Sequence, residues 1–207
     1  MDCQVGALGS NSHSMRMQII GLMCFSSGMG LASEAVAAPW ARNVFDLETG
    51  VLWGVGNNTP LDYTLVQAAF SWRSPFVLKK EFDDGSALVV RSHASLIATW
   101  VEEGPEDHYF GISGSPSVEW WSADQAWSVY FSIGGGFGVI DSTDVVGGQG
   151  QDFTLNWFAK TGIQHQMNET TALFAGPFFQ HMSNGGATTP NPGIDALGFS
   201  LGMSFSF

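Results

Sequence analysis

His181 and Ser183 stand two residues apart in the segment Phe179-Gln180-His181-Met182-Ser183-Asn184-Gly185-Gly186, and Asp195 follows a loop containing Asn191-Pro192-Gly193. On a β-strand, residues i and i+2 point to the same face. Their Cβ atoms then lie about 6 to 7 Å apart, a span that a hydroxyl and an imidazole can close. Asp195, across the hairpin, is placed to orient the second ring nitrogen. A serine hydroxyl is a poor nucleophile until a base takes its proton. These residue types point to acyl transfer, with Ser183 as nucleophile, His181 as general base and Asp195 as its orienter. His, Ser and Asp near a loop end are also common as plain polar surface, so spacing alone leaves both readings open.

The elements that must hold these residues are strands. From Phe45 the odd positions run Phe45, Leu47, Thr49, Val51, Trp53 and Val55, against Asp46, Glu48, Gly50, Leu52, Gly54 and Gly56. The same period-two pattern recurs at 63–73, 87–101, 108–120, 127–140, 153–164 and 171–183. It closes over 194–207, where Leu197, Phe199, Leu201, Met203, Phe205 and Phe207 alternate with Ala, Gly and Ser. Of these eight segments, 108–120 is the weakest. A strand that crosses a membrane needs about 9 to 11 residues. A soluble barrel would turn its apolar face inward and carry Lys and Glu outside; these strands carry too few charges for that. The pattern predicts an all-β fold, an eight-stranded antiparallel barrel of the bacterial outer membrane, apolar outside and small or polar inside.

In that topology His181 and Ser183 share parity with Phe179, and Asp195 with Leu197 and Phe199. All three then face lipid. The loops at 57–60, 102–107, 141–149 and 184–193 are expected outside, and the connections at 74–85, 121–126 and 168–170 at the periplasm. Trp53, Trp72, Trp100, Trp120, Trp121, Trp127 and Trp157 sit mostly near strand ends, as an aromatic girdle would. Interior charges such as Arg91 and Glu48 are expected to pair across a filled lumen. His93, His108 and His165 fall on different strands and are not expected to converge on a metal.

Residues 17–37 read as a secretory signal: Arg16 precedes a mostly apolar run, and Ala35-Val36-Ala37 offers a cleavage site. A start at Met15 or Met17 would account for the polar stretch before it. The expected organisation is thus an N-terminal extension and signal over 1–37 and a barrel over 38–207. The expected mature chain carries 6 basic and 17 acidic residues. That balance excludes a nucleic-acid partner, which needs a basic patch. Cys3 and Cys24 both precede the expected mature start, which leaves no cysteine for a disulfide, a nucleophile or a thiolate metal site.

The mature chain resembles the lipid A 3-O-deacylase family, the PagL-like outer-membrane acyl hydrolases. The resemblance rests on the His-x-Ser-Asn segment at His181, Ser183 and Asn184, the Asn191-Pro192-Gly193 run, the acidic residue at 195 and the barrel pattern ending in Phe207. It implies an eight-stranded barrel that hydrolyses the ester of the 3-position hydroxyacyl chain of lipid A. It also implies that Asn184, with a backbone N–H near Gly186, meets the oxyanion. Asp195 departs from the Glu of the best-known members and is one methylene shorter. No cofactor and no metal are implied. The implied partners are lipid A or lipopolysaccharide in the outer leaflet and the outer-membrane assembly machinery, with a homodimer left open. A catalytically silent structural or adhesive barrel, and a hydrolase of other lipid esters, are the competing classes.

Overall fold

The computed structural model describes residues 37–56, 59 and 61–207. The leader expected over 1–37 lies outside them except for Ala37, as does most of the turn expected at 57–60. Nine antiparallel strands follow a short 3-10 turn at Pro39–Ala41: β1 (Val44–Gly54), β2 (Thr64–Arg73), β3 (Leu78–Glu81), β4 (Ala87–Glu103), β5 (His108–Trp121), β6 (Trp127–Ile140), β7 (Phe153–Gln166), β8 (Thr171–Ser183) and β9 (Ile194–Ser206). Each long strand pairs with its neighbours, β1 pairs with β9, and β2 pairs with β4, so eight strands close on themselves. Closure leaves the eight long strands no free edge. The ninth strand is a departure from expectation. The 74–85 connection carries β3, which pairs only with the start of β4, Leu78 opposite Val90 through Glu81 opposite Ala87. Its four residues are all exposed, so period-two burial could not announce it.

Alternation decides which side chain goes where. In β5, the segment of weakest pattern, Ser113, Ser115, Ser117 and Glu119 are buried while Ile112, Val118 and Trp120 are exposed. The same rule exposes Leu47, Phe70, Leu96, Phe131, Phe137 and Leu201 around the barrel wall. Those apolar side chains form the surface that lipid covers. Exposed Trp53 and Trp100 lie toward one end, and exposed Trp72, Trp120 and Trp127 toward the other. Trp121 is a correction to the expected girdle: it is fully buried, packs on Trp40 with ring centroids 5.5 Å apart, and donates its indole N–H to Glu119 at 3.0 Å. Its odd position turns it into the lumen, where Trp120 beside it turns outward.

The lumen is filled in two storeys. Toward the end where β1 begins and β9 ends, Arg73 bonds Asp46 at 2.7 Å and Glu119 at 3.2 Å, and it also donates to Gln164 and Ser204. Arg91 lies 3.9 Å from Glu119 and donates to the carbonyls of Ser74 and Arg42, while Lys160 reaches Glu48 at 2.7 Å. Each of the two interior charges expected to pair thus has an opposite charge nearby, Arg91 with Glu119 on the adjacent strand and Glu48 with Lys160. Buried charges survive only when paired and hydrogen-bonded, and these are. Toward the opposite end Leu52, Leu65, Ile97, Phe158, Met182 and Ile194 form one apolar cluster, with polar groups such as Glu106, Gln149 and Asn184 also buried at that end. His93 bonds Ser117 in the lumen, His165 stacks on Trp127, and His108 lies beside Asp141, so these three histidines stay apart.

Candidate active site

The last residues of β8 and the first of β9 carry the three residues singled out above. His181 and Asp195 are direct cross-strand partners. Such partners have Cβ atoms about 4.5 to 5.5 Å apart, which suits a short acid facing an imidazole. His181 Nδ1 lies 2.7 Å from Asp195 Oδ1, and Nε2 lies 3.0 Å from Ser183 Oγ. A carboxylate can only accept, so Nδ1 carries the ring proton and donates it to Asp195. Nε2 is then the acceptor, and Ser183 Oγ–H donates to it. The shorter reach of Asp195 is thus met by register, with no rearrangement of the loop.

The site opens outward, on the lipid-facing wall. His181, Ser183 and Asp195 are partly buried, whereas the intervening Gln180 and Met182 are buried in the lumen. Trp157 is the cross-strand partner of His181 on β7, and its ring stands 6.0 Å from the imidazole and 5.0 Å from Phe179. Leu155 faces Ser183 across the same pair of strands. An apolar flank therefore adjoins a polar triad, the arrangement an acyl ester needs: a tail to be sheltered and a carbonyl to be polarised.

The loop 184–193 holds the expected oxyanion residues in a different posture. Asn184 is buried, and its amide group donates to the carbonyls of Gln149 at 2.6 Å, Thr188 at 3.1 Å and Pro190 at 3.1 Å. Its Oδ1 accepts the N–H of Gly186 at 2.8 Å. The Asn184 backbone N–H in turn donates to Asn191 Oδ1 at 3.0 Å. Asn184 is the brace of this loop, and the Gly186 N–H is committed to it in the resting state. Gly185 and Gly186 both have positive φ, +67° and +80°, a backbone that a side chain would strain.

Sequence patterns did not announce the second layer. Thr59 Oγ1 accepts the Asp195 N–H at 2.7 Å, and Val55 N–H donates to the Asp195 carbonyl at 2.8 Å, so the β1–β2 connection fixes the backbone of the acid. From the β6–β7 connection, Gln149 reaches both ends of the 184–193 loop. Glu106, buried, accepts from Tyr63 Oη at 2.8 Å and Ser142 Oγ at 2.9 Å. Burial and the neighbouring Glu106 push the Tyr63 hydroxyl well above its ordinary range, which keeps it a donor. None of these contacts has a sequence periodicity; each joins loops from different hairpins.

The family model described as lipid A 3-O-deacylase (PagL) matches residues 66–204. Among solved structures the chain is similar to one titled as the crystal structure of the outer membrane enzyme PagL, at 18% identity and a TM-score of 0.51, covering 78% of this chain and 99% of that one. It is also similar to the crystal structure of Neisserial surface protein A (NspA), at 12% identity and a TM-score of 0.51, covering 80% of this chain and 97% of that one. At such identities the likeness carries the fold, a closed eight-stranded antiparallel barrel of the outer membrane. No curated protein sequence matches.

Proposed function

Because the chain belongs to the lipid A 3-O-deacylase (PagL) family, we propose that it hydrolyses the ester of the 3-position hydroxyacyl chain of lipid A, using Ser183, His181 and Asp195. The observation that carries this reading is the continuous pair of hydrogen bonds from Asp195 through His181 to Ser183, 2.7 and 3.0 Å, on the lipid-facing wall of the barrel. An enzyme for water-soluble solutes gains nothing from that placement; one for lipid esters requires it. The turns at 122–126 and 167–170 are short, as periplasmic turns are, with the connection from Arg73 to Ala87 as the long exception at that end; with those turns at the periplasm, the triad lies at the outer leaflet, where lipopolysaccharide resides.

The geometry supports the following reaction. Ser183 Oγ attacks the ester carbonyl as its proton passes to His181 Nε2. Asp195 holds the resulting imidazolium in orientation. The tetrahedral oxyanion collapses, the C–O bond to the sugar breaks, and His181 returns its proton to the leaving 3-hydroxyl. Water then attacks the acyl-enzyme with His181 as base, releasing the fatty acid and restoring Ser183. The oxyanion falls to the 184–187 turn. For Gly186 to serve it, its N–H exchanges a neutral acceptor, Asn184 Oδ1, for a charged one, and charge-assisted bonds are roughly twice as strong. Asn184 contributes by keeping that turn in shape. No step calls for a metal or cofactor.

The test is refolding residues 38–207 in detergent and incubating the barrel with purified lipid A. Release of free 3-hydroxy fatty acid, followed by mass spectrometry, is expected from the parent and not from Ser183→Ala. A folded, heat-modifiable parent that releases no fatty acid would overturn the reading.

A further inference from the structure

Gln149 lies 35 residues before Asn184 and 44 before Gly193, yet it holds both. Its carbonyl accepts the Asn184 amide at 2.6 Å, and its Oε1 accepts the Gly193 N–H at 3.1 Å. The residue has no exposed surface. Behind it, its own N–H donates to Glu106 Oε1 at 3.2 Å and to the hydroxyl of Ser142. Glu106 is tied in turn to Tyr63. One buried residue thus links three connections at the outer end of the barrel to the loop between β8 and β9, its backbone holding Asn184, Glu106 and Ser142 and its side chain holding Gly193.

What that loop separates are the two halves of the triad. Asn184 directly follows Ser183, and Gly193 stands two residues before Asp195. Gly193 has φ +74°, and a Cβ placed on it would lie 3.5 Å from His181 Cε1. The peptide that Gln149 grips therefore runs beside the imidazole edge. Released at its Gly193 end, where the Gln149 side chain holds it, the loop is free to shift Asp195 relative to His181, while its Asn184 end stays on the Gln149 carbonyl.

We propose that Gln149 is a positioning residue for the triad: a clamp from the β6–β7 connection that sets the 184–193 loop, and through it the spacing of Ser183, His181 and Asp195. This rests on the hydrolytic reading above for its consequence in rate, and on hydrogen bonds alone for its geometry. Gln149 touches no reacting atom. Its removal leaves the apolar flank at Trp157 and Leu155 intact, so substrate still binds while the chemical step slows.

Two variants test it in the full refolded barrel. Gln149→Met keeps length and removes the side-chain acceptor of the Gly193 N–H, leaving the carbonyl that holds Asn184; Gln149→Glu keeps length and a side-chain acceptor oxygen. With lipid A as substrate, Gln149→Met is expected to lower kcat by about 10- to 100-fold, the scale of an ångström's misplacement, with KM unchanged. Gln149→Glu is expected to recover most of that loss. Hydrogen exchange of the Gly193 amide is read beside the kinetics and is expected to accelerate in Gln149→Met and not in Gln149→Glu. A Gln149→Met barrel with parental kcat, or one that loses KM rather than kcat, overturns the proposal. If the parent itself hydrolyses nothing, the hydrolytic reading falls by itself. The clamp is then judged on exchange: acceleration in Gln149→Met upholds it, and none overturns it.

Discussion

His181 and Asp195 face each other as direct partners across β8 and β9, and in that register Nδ1 lies 2.7 Å from Oδ1. A residue directly opposite needs little reach. The aspartate here is therefore matched to its position, and the extra methylene of a glutamate would carry the carboxylate beyond its present seat.

Two substitutions at Asp195 follow. Asp195→Asn preserves shape but lets the imidazole adopt the wrong tautomer, and kcat on lipid A is expected to fall by about 10³- to 10⁴-fold. Asp195→Glu is expected to cost about tenfold or less, because the longer carboxylate must fold back to regain Nδ1. A gain in kcat for Asp195→Glu would show that the present register is not the productive one.

Arg73 is the only cation within hydrogen-bonding distance of both Asp46 and Glu119 among the described residues. Arg73→Met strands the buried Asp46, left with Ser204 alone, and leaves Glu119 with Arg91 at 3.9 Å and the Trp121 N–H. The expected loss is about 3 to 5 kcal/mol of unfolding free energy, read by urea titration of the refolded barrel. Because the network lies far from the triad, the folded fraction should keep its parental kcat.

Gly198 faces the lumen from β9. A Cβ there would press into the Val51 carbonyl and lie 2.6 Å from Leu52 Cα, both backbone atoms that cannot step aside. Gly198→Val is expected to abolish most of the folded, heat-modifiable species. Folding at parental yield would show that β1 and β9 can separate to admit a side chain.

Acid should loosen the β6–β7 connection before the barrel. The side-chain and backbone hydrogen bonds of Thr143, together with the backbone bond from Ser142, hold the Asp152 carboxyl below its ordinary range. A lowered folded pKa stabilises above the unfolded value, about 3.9, and that stability is lost as pH falls through the folded value. Amide exchange at Ser142 and Thr143 is expected to accelerate below about pH 4 relative to the strand amides. Asp152→Asn should show no such acid step.

Much of this architecture is legible in the sequence, for one reason. A sheet with lipid on one side and a narrow lumen on the other imposes period two on every strand, so Phe131 and Ser132 are assigned to faces by parity alone; the expectation that puts Trp121 in the girdle beside Trp120 fails because it weighs strand-end position over parity. The pairing of His181 with Ser183 on one face is legible on the same ground. The register that sets Asp195 opposite His181 is not, since it depends on how the 184–193 loop turns. β3 escaped because it is exposed on both faces. Gln149, Glu106 and Thr59 escaped because loop-to-loop hydrogen bonds leave no periodic trace, and Asn184 showed its type but not which neighbours its amide would choose.

The two-storey filling of the lumen has a kinetic consequence. With charge pairs below and packed apolar and hydrogen-bonded side chains above, and with His181 itself on the outer wall, its encounters come sideways, by diffusion within the leaflet. The concentration that governs turnover is then a mole fraction in the membrane plane. Diluting the substrate with inert detergent at constant bulk amount should slow the reaction, and crowding it into fewer micelles should speed it.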